Sequence, residues 1–491
     1  MRKIQFNKLL LIRLLLITIT VIIGIGLGLW QTLPPNPPGL NSQYYPIYKK
    51  MLSNIEKFAV EPRPSGSTEI EKIRGQIIAE IEGMGLTPII DEHVYTLSEL
   101  ADLMISKRDG VTPEEWWEEA GNFYQEIYGS DKINDVYDCF AMDWPFLVNE
   151  DGNINLRNIL VKLESPGADS AILFVSHYDS VPESPGASDN MLGVCSGLEA
   201  MRSQANNTDL KTNIYFLFTD AEENGLLGAY AFITAYPKMK EKIDVVVSMD
   251  MGGVSGVVLS DRMSPKAYSL VQMVLKSGAQ PLLSSLAITV VETFNLSRGD
   301  IMAFLDSGYN AISLGATGEK EKNHGPTDTY ENMNKATAWH SLQIVLALTD
   351  YSANNSLAKI NDSSLESVYF PFFPGCNILM TAFSACILSV LACILALIWA
   401  MFLIKRRQFI FSFFVIIMCL LIILTITSTI FIISGSYLFS IPLLVMTITV
   451  FFNKWKTVYI AASIISGIIV FLLWTPVVYL VFEVIIKPLV I

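Results

Sequence analysis

The last 116 residues of the chain, 376–491, are almost unbroken apolar sequence, which suits lipid better than any water-facing surface. They divide into runs near 377–404, 408–433, 437–452 and 457–483, which we read as about four transmembrane helices. The breaks between them read "KRR" (405–407), "SGS" (434–436) and "NKWK" (453–456). Basic and neutral breaks thus alternate, as cytoplasmic and outer loops do. Pro476 in "WTP" leaves open a kink or a hairpin in the last run, and Glu483 reads as an interfacial residue. A further apolar run, 9–30, has Arg2, Lys3, Lys8 and Arg13 towards its start and no small-x-small cleavage motif after it. That pattern predicts an uncleaved anchor with its N-terminus in the cytoplasm and residues 31–375 outside it.

The charge divides the same way. The whole chain carries −13, while 1–30 and 376–491 are both positive, which leaves −22 on 31–375. So acidic a domain argues against nucleic acid as a partner and against an anionic lipid surface. Of six cysteines only Cys139 and Cys195 fall in that domain, with no CxxC pair, so no disulfide framework holds it. Cys376, Cys386, Cys393 and Cys419 lie in or beside the apolar runs, and sequons stand at Asn206, Asn295, Asn354 and Asn361.

Between the apolar ends, "PPNPPG" (34–39) reads as a stiff spacer within a linker at 31–43. From residue 44 to about 355 helical and strand patterns alternate. Strands are predicted at 157–163, 171–176, 213–219, 244–249 and 311–314, and helices at 44–58, 69–84, 190–204, 226–236, 264–278 and 334–351. Alternation of this kind predicts an α/β domain whose central sheet is mostly parallel and covered on both faces. Residues 95–150, with the acidic and Trp-rich "TPEEWWEEAGNFYQEIYG", interrupt it as an insertion, and 356–375 reads as a second linker before the transmembrane region at 376–491.

Chemistry collects where the strands end. "FVSHYDS" places His177 and Asp179 just past one strand, and "GASDNMLG" places Asp189 at the start of the next helix. "FTDAEEN" supplies Glu222 and Glu223, "VVSMDMGG" supplies Asp250, and "NHGPTDTYENM" supplies His324. Open parallel sheets bind ligands at the carboxyl ends of their strands, and mixed imidazole and carboxylate donors suit zinc, with shared carboxylates suiting a pair of ions. Adjacent glutamates in a strand would face opposite ways, so Glu222 and Glu223 can serve one site only from a turn. One could then hold a metal while the other takes a proton from a water beside it. His93 and His340 match no such pattern and read as structural; Gly252 and Gly253 permit a tight turn.

The series "HYDS…GASDN…TDAEENGLLGA…MDMGG…HGPTDTYEN" resembles the co-catalytic di-zinc aminopeptidases, a family that includes plasma glutamate carboxypeptidase and glutaminyl cyclase. The resemblance covers about 44–350, and its membrane-bound members, the endoplasmic-reticulum and vacuolar metallopeptidases, are similar in layout. It implies a three-layer zinc-exopeptidase fold and two zinc ions, one on His177 and Asp250, one on Glu223 and His324, with Asp189 between them. It further implies Glu222 as general base and Asp179 as the carboxylate that orients His177. Asp220 and Asp300 resemble secondary positions, and the "RGDI" around Asp300 departs from the family's usual Ser-Asp-His. The expected function is a membrane-anchored exopeptidase, most simply an aminopeptidase, acting on peptides outside the cytoplasm. A single-zinc glutaminyl cyclase and a non-catalytic receptor or scaffold ectodomain are the alternatives. The apolar spans carry few polar residues, which favours anchoring or a membrane partner protein over transport. The location expected is a cell membrane, with an endoplasmic-reticulum or vacuolar membrane as the alternative.

Overall fold

The structure is a computed structural model, which describes residues 8–108, 110–129, 132–144, 146–294, 298–358, 360, 365–373, 375–404, 421–426, 433–435, 437–451 and 456–481. The basic break 405–407, residues 408–420 and 427–432 of the second predicted span, the break residues 453–455, Asn295, Asn361, Cys419 and Glu483 lie outside the described residues.

Seven strands form one sheet: β1 Ile89–Thr96, β2 Asn153–Leu163, β3 Ala171–His177, β4 Asn213–Thr219, β5 Ile243–Met249, β6 Ser255–Leu259 and β7 Ala311–Gly318. They lie in the order β1-β2-β4-β3-β5-β7-β6. The four central strands pair in parallel, while β1, β2 and β6 add antiparallel edges. All seven residues of β3 and of β4 are buried, as strands covered on both faces must be.

Successive residues of those strands feed two separate cores. Ile172, Phe174, Phe216, Val245 and Val247 pack against one helical layer: α2 Tyr45–Phe58, α3 Thr68–Glu82, α7 Leu192–Gln204, α9 Tyr268–Ser277 and α12 Lys335–Asn354. Leu173, Val175, Leu217 and Val246 pack against α8 Leu227–Ala235 and α11 Ile301–Asp306 on the other side. The result is a helix–sheet–helix sandwich. Each such strand side chain contributes about 1.5–3 kcal/mol by leaving water.

The insertion makes three helices: α4 Leu97–Arg108, α5 Pro113–Tyr128 and α6 Val136–Asp143. Its predicted start needs moving, because 95 and 96 still pair in β1 with Ile154 and Asn153 of β2. Thr112 and Glu115 close a capping box on α5, and Asp135 caps α6. Its core of Leu100, Met104, Phe140 and Trp144 is continuous with Ala221, Leu227 and Ala231 of the main domain.

Two further helices were not foreseen: α10 Ser285–Phe294 and α11. The second linker also differs from expectation. Strands β8 Ser367–Phe373 and β9 Cys376–Thr381 form a hairpin, so the apolar run expected to start a span near 377 becomes helical only at Ala382. The later helices are α13 Ala382–Ile404, α14 Tyr437–Phe451 and α15 Lys456–Val481. Of the described helices one, over Ile460–Val481 with mean hydropathy 2.4, is long and apolar enough to cross a membrane; Leu15–Trp30 and Ala382–Ile398 are shorter apolar stretches.

The N-terminal helix α1 Lys8–Trp30 lies along α15. A Cβ on Gly24 would come within 2.6 Å of Phe471 Cβ, and one on Gly467 within 2.6 Å of Thr20 Cγ2, so close contact needs the glycines. The other end of α15 reaches the sheet, where Leu480 packs with Val257 and Leu259 of β6 and with Leu282.

His340 on α12 is a structural histidine. Its Nδ1 accepts the Val258 N–H at 3.1 Å and its Nε2 lies 3.0 Å from the Gln280 carbonyl oxygen. That pairing needs a neutral ring protonated on Nε2, and burial lowers its pKa to about 4. A folded-state pKa below the unfolded one gives stability that is present near neutral pH and lost as the pH falls through about 4. Chemical unfolding of wild type and His340→Gln should therefore show a wild-type advantage of about 1–3 kcal/mol at pH 7. That advantage should shrink as the pH is lowered towards 4; one that is constant with pH would mean a ring already charged in the fold.

Candidate metal centre

The parallel register brings the strand ends together. His177 is the last residue of β3 and sits opposite Thr219, the last of β4; Val175 pairs with Ser248, two residues before Asp250. The turn after β4 then carries Glu222 and Glu223, entered through Ala221 at φ 54, a left-handed conformation that costs a non-glycine residue energy. His324 also has positive φ, 56, in the loop after β7.

Asp189 stands at the centre. Its Oδ1 is 3.1 Å from His177 Nε2 and its Oδ2 is 3.1 Å from His324 Nε2, so the two oxygens of one carboxylate face two different imidazoles. Asp250 Oδ1 lies 3.9 Å from His177 Nε2, and Glu223 Oε2 lies 3.2 Å from His324 Nε2. Three donor triads result among the described residues, His177–Asp189–Asp250, Asp189–Glu223–His324 and His177–Glu222–Glu223, each with ligand atoms within 4.8 Å of one another, and Asp189 joins the first two. Donors at 2.0–2.1 Å around a tetrahedral zinc stand about 3.3 Å apart, so the spacing fits. Glu222 is buried at 8% exposure with Oε2 4.0 Å from His177 Nε2, beside the first two triads. All seven site residues named from the sequence therefore meet around one point.

Asp179 is wholly buried behind them. Its Oδ1 is 3.4 Å from His177 Nδ1 and accepts the Glu222 N–H at 3.2 Å, while Oδ2 accepts the Glu223 N–H at 3.1 Å. One carboxylate thus fixes both the first imidazole and the glutamate turn. Asp300 accepts from the Thr219 hydroxyl, and its buried Oδ1 has no hydrogen-bond partner among the described residues. Asp220 does not join the group: it accepts from Ser65 Oγ at 2.6 Å and the Arg157 N–H at 3.0 Å, and faces Arg74.

Four further residues shape the site and were not singled out as site residues from sequence. Asp328 accepts the N–H groups of Ser188 and Asp189 at 2.9 and 3.0 Å, which locks the His324 loop onto the Asp189 loop. Asn190 donates to Met249 O at 2.8 Å and to Ser176 Oγ at 3.0 Å, tying the ends of β3 and β5 together. Gly193 lets that helix start so close, since a Cβ there would strike Met249 O, Asn190 Oδ1 and Ser176 Oγ. Arg63, fully buried in the "RPSGS" turn, donates to the carbonyls of Tyr178, Pro185 and Gly186, which bracket His177 and Asp189. "HGPTD" carried a signal for Asp328 in its fixed distance from His324.

Crowding decides the electrostatics. Burial pushes the Glu222 carboxyl well above its usual range; His177 draws it down, and Asp250, Glu223 and Asp300 push it further up. Burial and Asp189 raise Glu223 to about 8, and burial raises Asp300 to about 7. The hydrogen bond that its ring donates to Asp189 raises His324 to about 9. Carboxylates packed this densely need cations, either protons or metal ions, and metal binding would release the protons.

The cluster lies in a cavity of about 1110 Å³ that also touches the insertion. Residues 158–349 match the model of Peptidase family M28. The chain is 34% identical over 171 residues to "Endoplasmic reticulum metallopeptidase 1" of Mus musculus, covering 32% of this chain and 19% of that protein. It is 29% identical over 223 residues to "Vacuolar membrane protease" of Candida dubliniensis, covering 44% and 23%. The match spans less than a quarter of the length of both curated relatives. A solved aminopeptidase from Aneurinibacillus sp. strain AM-1 aligns over 62% of this chain and 93% of its own at 16% identity and a TM-score of 0.43.

Removing the Asp179 carboxylate, as in Asp179→Ala, should weaken zinc retention about 10–100-fold in competition with a chelator, and Asp328→Ala should do the same through the Asp189 loop. Unchanged retention in both variants would mean that these carboxylates support the backbone alone.

Proposed function

We propose, from the match of residues 158–349 to the model of Peptidase family M28, that the chain is a membrane-anchored zinc exopeptidase, most simply an aminopeptidase, with its domain outside the cytoplasm. The observation that carries this reading is the position of Asp189, one carboxylate facing two histidines and joining two donor triads. His177 and Asp250 would hold one ion, Glu223 and His324 the other, and Asp189 would serve both. Two bound zinc ions would supply Lewis acidity to the scissile carbonyl and acidify a water at the site.

The chain's own residues do the rest. Glu222 lies beside the donor residues with its Oε2 turned towards His177 Nε2, where it can take a proton from the attacking water and return it to the leaving amine. Asp179 keeps the imidazole of His177 turned and the backbone of Glu222 and Glu223 in place. Burial at strand ends limits the water that reaches these groups.

Anchoring is supported by the apolar helices and by the printed names of two relatives, one reticular and one vacuolar. The fit of α1 against α15 supports a retained first helix, because its removal would uncover the face of α15 that Gly24 and Gly28 approach. The multi-pass arrangement, with α13, α14 and α15 crossing a bilayer, belongs to the same proposal.

The test is metal content and peptide hydrolysis on the purified full chain, wild type beside Glu222→Gln. Two zinc ions per chain in both proteins are expected, with turnover of aminoacyl reporter amides reduced by about 10²–10⁴-fold in the variant alone. One zinc with ammonia released from N-terminal glutamine would replace the peptidase by a cyclase. Hydrolysis from the carboxyl end only would keep the peptidase and overturn the aminopeptidase assignment.

A further inference from the structure

The cavity over the metal cluster has a wall that does not come from the sandwich. Trp116, Tyr124, Phe140, Met142, Trp144 and Phe146, all from the insertion, line it opposite Asp189, Glu222 and His324. The rings form a connected series: Tyr124 to Trp116 at 5.4 Å between centroids, Trp116 to Phe140 at 5.5 Å, and Phe140 to Trp144 at 4.7 Å. Trp144 closes the series on the catalytic turn, because its Nε1–H donates at 2.9 Å to the carbonyl of Asn224, the residue after Glu223.

Two of the polar atoms on these rings are already used. Trp144 Nε1 is spent on Asn224, and the Tyr124 hydroxyl donates to Asp143 Oδ2 at 3.2 Å. What these rings add to the cavity is ring surface and thioether, including Met142 and Phe146, which are 41% and 51% exposed. Ring surface of this kind discriminates by apolar area, while Asp143, Asp261, Arg298, Asp306 and Lys320 supply the charged part of the same lining. The wall is also rigid, since α6 is capped by Asp135 and its core is shared with Ala221, immediately before Glu222. The cavity is at the upper end of the range for small-ligand sites, with room for a large residue and the peptide beyond it.

We propose that the helical insertion is the side-chain pocket of this site, and that the preferred substrates are peptides presenting a bulky apolar or aromatic residue beside the scissile bond. The proposal rests on the peptidase reading above for its substrate and on the wall alone for its selectivity. A pocket that buries one large apolar side chain typically discriminates by about 10–200-fold against a small one.

The experiment compares the full chain with Trp116→Ala and Met142→Ala, both outside the metal cluster and neither wholly buried. Two quantities are read: the ratio of kcat/KM for phenylalanyl over alanyl reporter amides, and calorimetric binding of L-phenylalaninamide against L-alaninamide, with zinc content measured alongside. The expected result is a wild-type preference for phenylalanine of at least about tenfold that falls several-fold in each variant at unchanged zinc content. Turnover without preference in wild type, or a preference that both variants keep, overturns the pocket and leaves the peptidase. Phenylalaninamide binding that the variants lose, with no peptide hydrolysed, keeps the pocket and overturns the peptidase. Binding of neither amide with no turnover overturns the pocket as well.

Discussion

The parallel pairing of β4, β3 and β5 is the constraint on which the rest of the molecule depends. Parallel strands end on the same side, so residues distant in sequence arrive together there without any contact of their own. His177 and the Glu222 turn come together because β3 and β4 pair out to His177 and Thr219. A slip of one residue in either strand would turn His177 into the helical layer and leave its carboxylate partners facing one another. The buried staple from Asn190 to Met249 and Ser176 guards against such a slip.

That convergence has an electrostatic cost. Asp179, Asp189, Glu222 and Asp300 are buried around one buried imidazole, with the part-exposed Asp250 beside them, and Glu222, Asp250 and Asp300 all have raised pKa values. Two features offset the crowding. Backbone N–H groups at Ser188, Asp189, Glu222 and Glu223 point at Asp328 and Asp179, and the guanidinium of Arg63 stays buried within the field of Asp179, Asp328 and Asp189. Burial lowers the pKa of Arg63 to about 10, still far above neutrality, so the cation persists.

Much of this was legible in the sequence, and the reasons differ by element. The buried strands β2 to β5 and β7 announce themselves as β-branched and aromatic runs, and the ligands follow them at once. β1 was missed because "IIDEHVYT" is a charged edge strand, and β6 because five residues beginning Ser-Gly carry little periodicity. Asn190 and Arg63 act on backbone groups or residues far along the chain, and no local pattern records such a partner. The insertion was legible as a Trp-rich interruption, but periodicity does not say which neighbour a helix faces. The 377–381 stretch was apolar enough for a span; only its pairing with β8 makes it a strand.

Leu480 meets Val257, Leu259 and Leu282 where the last helix touches the edge strand of the sheet. The α/β domain is therefore not a self-contained globe on a string. Cut free after α12, it would present to water the apolar patch of Val257, Leu259 and Leu282 that Leu480 covers, and an exposed patch of that kind promotes association of like molecules. The helical region acts as a cover for that patch, and any version of the domain made without it would have to supply a substitute.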